Sequence, residues 1–247
     1  MSAAGAFGTR HAEVGLDLIA ALPTAEFDAL VPASWQTAEI HATATQWIVI
    51  ASGGRSLFAA FEASEFAGDG APDPLDRFVR AHVAGACGEL EGARAFHYDE
   101  ARRGEFADFV ALGRACGLGS QGALGLAMHP EFGPWWSIRA LVGVERAVRI
   151  PSRPAIVSPC TGCAAPCVAA CRGGAVLGPE GDFEFDSGAC AATRLREPEC
   201  ADRCDARRAC PVGADRAYSR AAEAHHLRAS LAWIRAESAA RGQVRST

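Results

Sequence analysis

Two cysteine-rich runs dominate this sequence: CTGCAAPCVAAC at residues 160–171 and CADRCDARRACP at residues 200–211. They hold seven of the ten cysteines in a chain of 247 residues, and an eighth, Cys190, lies between them. Only Cys87 and Cys116 lie elsewhere, and we expect both to be buried as small hydrophobic side chains. Cysteines this dense, in a chain without a recognisable secretion signal, favour metal binding over disulfide bonds.

The spacing of these cysteines predicts two [4Fe–4S] clusters with four thiolate ligands each. In two-cluster ferredoxins the fourth cysteine of each run ligates the other cluster. The first set is therefore Cys160, Cys163, Cys167 and Cys210, and the second set is Cys171, Cys190, Cys200 and Cys204. Pro211 follows the last cysteine, as in the bacterial ferredoxin motif.

Three features depart from the bacterial run C-x2-C-x2-C-x3-C-P. One extra residue precedes Cys167, Arg172 stands where proline would follow Cys171, and five residues separate Cys210 from the preceding cysteine. Zinc is one alternative, because four-thiolate zinc sites also use cysteines a few residues apart. Disulfides or free thiols are the other. The cysteine–proline ending favours iron–sulfur clusters.

Charge and composition exclude several classes of function. The formal charge is −5, with 24 basic and 29 acidic residues, which argues against a nucleic-acid partner. Every basic residue is arginine, so a lysine Schiff base and the lysine of a P-loop are excluded. No stretch approaches the ~18 apolar residues of a membrane helix. The N-terminus has no signal-peptide pattern, so we expect a cytoplasmic protein.

A change in composition at IPSRPAIVSP, residues 150–159, marks a domain boundary. We predict an N-terminal α/β domain over 1–150, a cysteine module over 155–215 and a C-terminal helix over 216–247. The expected elements of the first domain are a helix over 11–33, a buried strand over 45–51, a helix after Gly54, a helix capped by Asp73, a helix over 101–116, and strands over 123–133 and 134–145.

The loop GLGSQG, residues 117–122, matches the pattern G-x-G-x-x-G. It follows a predicted helix and precedes a predicted strand, which is the reverse of the order in dinucleotide-binding folds. A turn this rich in glycine allows backbone amides to approach a ligand closely. A tight turn without a ligand is the alternative.

The segment RACGLGSQGALGLAMHPEFGPWWSIRALVGVE, residues 114–145, resembles A-G-L-G-W-I-G-K-N…L-x-x-H-P-E-Y-G-S-W in the epoxyqueuosine reductases. In those proteins too, a two-cluster ferredoxin module follows. Reductive dehalogenases share this architecture, and WWSIRALVGV is similar to the W-F-A-I-R-G-V-V strand of the cobalamin-processing chaperones. The resemblance covers about residues 95–215. It implies a nitroreductase-like α+β or α/β domain that binds cobalamin, followed by a ferredoxin-like module.

The resemblance also implies which residues contact the corrin. They are Gly117, Leu118, Gly119, Ser120, Gln121 and Gly122 of the loop, with His129, Pro130 and Glu131 matching the family's H-P-E. The family's lysine after the loop is absent, with Ala123 nearby. Without the resemblance, His129 on an apolar run would be interpreted as a structural residue.

The reductases carry an acidic proton donor some fourteen residues before the loop, a position that direct counting places at Arg103. We therefore take Tyr98 and Asp99 as the catalytic candidates. The alternative is that both are solvated surface groups, because acidic side chains are usually exposed.

Together these features predict a cobalamin-dependent iron–sulfur oxidoreductase. Its clusters would take electrons from an external donor of ferredoxin or flavodoxin type and reduce the corrin for chemistry on a small-molecule substrate. One alternative is an accessory protein that reduces cobalamin for processing or delivery, and another is an electron-transfer protein without a corrin. The acidic charge and the short chain argue against the tRNA substrate of the epoxyqueuosine reductases.

Overall fold

A computed structural model describes residues 11–151, 156–178 and 184–244. The chain forms two compact units. The first unit contains the residues up to Ser120 and Trp136–Val157, and the second contains Gln121–Trp135 and the residues from Ser158 onward. This division differs from the predicted domains, because residues 121–135 and the C-terminal helix both belong with the cysteines.

The first unit is built on a four-stranded antiparallel sheet of order β1-β2-β6-β3. Its strands are β1 (Leu18–Pro23), β2 (Gln46–Gly53), β3 (Arg94–His97) and β6 (Trp136–Val144). Two short strands, β4 (Ser120–Gln121) and β5 (Ala127–Met128), pair in a separate sheet. The expected α+β character is confirmed, with a small antiparallel sheet.

The two central strands are buried along nearly their whole length. Strands covered on both faces have continuous apolar sequences, as β2 and β6 do. Trp47 on β2 is fully buried, stacks on Phe27 with ring centroids 4.2 Å apart, and donates its indole N–H to Thr37 Oγ1 at 2.9 Å. The core of the first unit therefore lies beside these two strands.

Five α-helices of the first unit lie wholly within the described residues. They are α1 (Thr24–Asp28), α2 (Thr37–Ile40), α3 (Ser56–Glu62), α4 (Pro74–Cys87) and α5 (Phe109–Ala115). Helix α4 starts with proline at its first position, which suits proline because the missing N–H would have no helical partner. Asp73 was expected to cap it, but its backbone is left-handed (φ 48°), and its side chain makes no capping hydrogen bond within the described structure.

Three of the element predictions were wrong. The predicted helix over 11–33 is replaced by β1 and the short α1. The predicted helix over 101–116 begins only at α5, where Asp108 accepts hydrogen bonds from the amides of Val110 and Ala111 at 2.9 and 3.0 Å. The predicted main-sheet strand over 123–133 contains only β5.

The described residues of the second unit form four α-helices and a core that includes cysteines. The helices are α6 (Pro166–Ala170), α7 (Ser187–Arg196), α8 (Asp205–Arg208) and α9 (Arg220–Val244). Buried Leu124, Met128 and Val176 pack with the thiols of Cys167 and Cys210. The predicted C-terminal helix corresponds to α9, and residues 245–247 lie outside the described residues. Over the described ranges, each helix lacks the length or the apolar character needed to cross a bilayer.

Candidate metal centres

The first set of cysteines surrounds one small pocket in the second unit. All four thiols line it. The other lining residues are Ala123, Leu124, Met128, Pro159, Ala165, Pro166, Pro211 and Val212. Burial raises the pKa of Cys167 and of Cys210, and the nearby thiols of the same set raise both further. Grouped thiols with raised pKa values lose protons readily only when a positively charged metal core offsets their repulsion.

The second set lines a separate, larger cavity of about 660 Å³ in the same unit. Burial raises the pKa of Cys190, Cys200 and Cys204, and the thiol of Cys171 adds to the increase in each case. The four cysteines of each predicted set thus line the same cavity, and their assignment as ligands of two clusters stays a prediction.

Backbone amides donate hydrogen bonds to three of these sulfurs. Cys163 Sγ accepts from the amide of Ala165 at 3.4 Å. Cys171 Sγ accepts from the amide of Ala175 at 3.3 Å, and Cys204 Sγ accepts from that of Arg207 at 3.4 Å. Such bonds stabilise negative charge on sulfur, and they help to set the potential of an iron–sulfur cluster.

All ten cysteines lie among the described residues, and none of them forms a disulfide bond there. Within the same described ranges, no three histidine, cysteine, aspartate or glutamate side chains converge on a point where a single metal ion could be held. A cubane differs from a single ion because its four ligands surround an inorganic core. The fit of the two sets to clusters rests on their shared pockets and on the amide hydrogen bonds to sulfur.

Helix α9 holds the loop that connects the two sets. Glu223 on this helix is fully buried. One of its carboxylate oxygens accepts from the amide of Cys204 at 3.1 Å, and the other accepts from Arg208 Nε at 2.7 Å and Nη2 at 2.5 Å. The segment from Cys204 to Cys210 supplies one thiol to each set, so Glu223 stabilises a loop on which both sets depend.

Four arginines line the second cavity, and sequence reasoning missed them. They are Arg172, Arg194, Arg203 and Arg207. Arg172 and Arg203 share Asp205, with contacts of 2.8 and 2.5 Å. The sequence carried a signal, because arginines are interleaved with the cysteines of the second run and are absent from the first.

The glycine loop of the first unit runs on into the second. α5 precedes it and β4 lies within it, so the dinucleotide-binding order is not present there. Gly117 has a left-handed backbone (φ 70°), and the amide of Leu118 donates to Gly113 O at 2.9 Å. Residues 117–120 and Gly122 are buried, and Gln121 is exposed. The corrin contacts assigned to this loop stay predictions.

His129, Pro130 and Glu131 form a tight turn in the second unit. The amides of Glu131 and Phe132 donate to His129 Nδ1 at 3.1 and 3.2 Å. Glu131 also forms an ion pair with Arg216 at 2.8 Å. These contacts give His129 and Glu131 roles in the local structure, and the corrin contacts assigned to them stay predictions.

Tyr98 and Asp99 follow β3 on the surface of the first unit. The hydroxyl of Tyr98 donates to Asp76 Oδ2 at 2.9 Å, and burial together with the charge of Asp76 raises the pKa of Tyr98 far above its usual value. Asp99 forms an ion pair with Arg80. Both side chains are about half exposed, and a role for either in proton transfer stays a prediction.

No protein-family model matches the sequence, and neither does any curated protein. Solved structures share its fold. An epoxyqueuosine reductase from Streptococcus thermophilus has 12% sequence identity and a TM-score of 0.53 over 86% of this chain and 66% of its own. The B12-trafficking protein CblC of C. elegans has 13% identity and a TM-score of 0.51 over 92% of this chain and 96% of its own.

A catabolic reductive dehalogenase, solved with 3-bromo-4-hydroxybenzoic acid, has 14% identity and a TM-score of 0.53 over 91% of this chain and 34% of its own. The three groups suspected from the sequence are thus confirmed as neighbours in fold. The chain spans slightly less than two thirds of the length of the reductase that it matches.

Proposed function

We propose that this protein is an iron–sulfur oxidoreductase in which two [4Fe–4S] clusters reduce a bound corrin for reductive chemistry on a small molecule. The observation that carries the proposal is the gathering of eight cysteines into two groups of four, each around its own pocket. The likeness in fold to a reductase, a dehalogenase and a B12-trafficking protein supports a corrin as the electron acceptor.

The residues of the chain have three tasks in this proposal. The eight thiolates hold the irons, and the amides that donate to sulfur stabilise the charge of the clusters. The apolar lining of the first pocket keeps water from the cluster and limits its solvent exposure. A reduced corrin supplies a strong nucleophile or a one-electron reductant.

The electrons come singly from an external ferredoxin or flavodoxin. Reductive cleavage of a bond between carbon and a leaving group consumes an electron pair and a proton, and the leaving group departs as an anion. Tyr98 and Asp99 are the candidate proton donors. Tyr98→Phe and Asp99→Asn should retain iron and corrin and lose turnover; full turnover in both variants would remove them from the mechanism.

The first experiment is to purify the full chain without oxygen and to measure iron, sulfide, zinc and cobalt per chain. We expect about eight irons with matching sulfide, and cobalt after incubation with cobalamin. Zinc without sulfide would refute the redox proposal. Iron and sulfide without retained cobalamin would refute the role of a corrin and support an electron-transfer protein instead.

Substitution of one cysteine from each set tests the two groups separately. Cys210→Ala should remove the first cluster and leave the second visible by electron paramagnetic resonance, and Cys190→Ala should do the reverse. Each variant should lose about half of the iron. Unchanged iron in either variant would refute its assignment as a ligand.

A second candidate function is cobalamin handling, in which the clusters reduce the corrin for processing or delivery. It is favoured by the match to CblC, which covers nearly the whole length of both chains. Transfer of reduced cobalamin to an acceptor protein, without turnover of any small molecule, would support this candidate over the first.

A further inference from the structure

The two cysteine pockets differ in charge. Apart from its thiols, the first pocket is lined by alanine, leucine, methionine, proline and valine side chains. The second cavity carries four guanidinium groups, from Arg172, Arg194, Arg203 and Arg207, against the single carboxylate of Asp205. The lining of the second cavity is therefore net positive, although Asp205 pairs with Arg172 and Arg203 and the carboxylates of Glu197 and Glu223 also lie near the second set. The lining of the first pocket is neutral.

Two of the four arginines are held by neutral groups. Arg194 donates from Nε to the carbonyl of Cys200 at 3.4 Å and from Nη2 to the carbonyl of Leu227 at 2.5 Å. These contacts hold its guanidinium at the second set and leave its positive charge in place, because arginine stays protonated in proteins.

Arg207 is held in a comparable way. Its guanidinium lies 4.5 Å from the ring centroid of Trp135 and 4.9 Å from that of Tyr218, and it donates to the carbonyl of Pro134. Its own amide donates to Cys204 Sγ. The aromatic rings stabilise the cation without neutralising it.

We propose that Arg194 and Arg207 make the cluster of the second set the stronger electron acceptor of the two. An electron that reduces a cluster adds a negative charge, which nearby cations stabilise and an apolar lining does not. With both clusters bound, one electron would pass from the cluster held by the first set, which would be oxidised, to the cluster held by the second set, which would be reduced, without a proton or a further reactant. This inference rests on the proposed presence of two clusters.

The test is a redox titration of the full chain, kept free of oxygen and followed by electron paramagnetic resonance. The wild type should show two midpoint potentials. Arg194→Gln should lower the higher one, so that the ratio of reduced to oxidised cluster at a fixed potential falls by about tenfold, which is ~59 mV for one electron. The matched control is Arg196→Gln, because Arg196 lies on the same helix and is exposed. It should leave both potentials unchanged.

Arg207 gives a second, independent variant if Arg194→Gln fails to fold. Arg207→Gln should lower the same potential, and Arg207→Lys should restore it because the charge is retained. Iron content shows whether each variant is intact. In Cys210→Ala the one remaining potential should be the higher of the two.

A fall in the lower potential, an equal fall in both, or no change would overturn this inference while leaving two clusters in place. Fewer than about eight irons in the wild type would refute the proposed function instead. If the wild type holds only one cluster, and Arg194→Gln lowers its midpoint potential while Arg196→Gln does not, the effect of Arg194 on the cluster of the second set would still be supported. A chain without iron and sulfide would refute both.

Discussion

Replacement of Glu223 should destabilise the second unit more than replacement of any comparable surface acid. Its carboxylate is fully buried and binds the amide of Cys204 and the guanidinium of Arg208, and Arg220 Nη1 lies 3.9 Å away. Glu223→Ala leaves the partly buried N–H of Cys204 without this acceptor and Arg208 without its counter-charge.

The size of the loss follows from these contacts. Removal of one partner from a buried ion pair costs about 3–5 kcal/mol. The side chain of Arg208 is 30% exposed and can regain some water, so we take the lower end, about 3 kcal/mol. Glu223→Gln keeps an oxygen for the amide of Cys204, and we expect it to lose roughly 1–2 kcal/mol.

The assay is thermal unfolding of the iron-loaded chain without oxygen, with iron measured before heating. In a chain of this size a loss of 3 kcal/mol lowers Tm by about 6–12 °C. The control is Asp202→Asn. Asp202 also connects the cysteine loop to α9, through Arg228 at 2.9 Å, but that pair is exposed and should contribute less than about 1 kcal/mol.

Equal Tm values for Glu223→Ala and Asp202→Asn would refute the reasoning, since they would mean that burial of the carboxylate adds nothing. A large decrease in Tm with full iron content would limit Glu223 to a role in stability. A decrease accompanied by lost iron would support its role in positioning Cys204.

Three further predictions concern other parts of the chain. Burial, with a smaller effect from a neighbouring histidine, lowers the pKa of His11 from 6.5 to about 4. The folded state therefore binds this proton less readily than the unfolded state, and stability present above pH 6.5 is lost as the pH falls toward 4, by at most about 3 kcal/mol. His11→Gln should flatten the dependence of Tm on pH over this range. An unchanged dependence would contradict the assignment to His11. Gly133 has φ +55°, and a Cβ added there would lie 2.1 Å from the backbone oxygen of Val212. Gly104 has φ +81°, and a Cβ there would meet nothing within 4 Å, so Gly104→Ala should cost only the backbone strain of about 1–2 kcal/mol. The Tm of Gly133→Ala should therefore fall further than that of Gly104→Ala. Cys116→Ala should retain all the iron, and a loss of four irons would make this thiol a ligand.

The sequence predicted which cysteines line the same cavity, because in two-cluster ferredoxins the fourth cysteine of each run ligates the other cluster. Only part of the charge around the second set could be predicted in the same way, because Arg203 and Arg207 lie within the second cysteine run and Arg194 does not. Arg194 contacts the chain at Cys200 and at Leu227, and only the packing of α7 against α9 brings these positions together. No spacing rule predicts such contacts. Because every basic residue of the chain is arginine, residue type alone does not distinguish the four arginines that line the second cavity.

The error over residues 11–33 has a different cause. Leu18, Leu22 and the alanines between them favour a helix by intrinsic propensity, and their spacing also matches a helical face. In the structure this segment is β1, whose burial alternates with a period of two as it pairs with β2. Pairing with a buried strand therefore outweighs local propensity, as tertiary contacts commonly do.

Helix α9 also has a structural role that the sequence did not indicate. Helix α8 has only four residues, Asp205–Arg208, and an isolated helix shorter than ~12–15 residues is marginal in water. The conformation of α8 must therefore be stabilised by contacts other than the hydrogen bonds within the helix. Glu223 supplies them at one end, and the rings that enclose Arg207 supply them along its side. Because the loop around α8 carries one thiol of each set, α9 fixes the relative placement of the two candidate clusters as well as the stability of the unit.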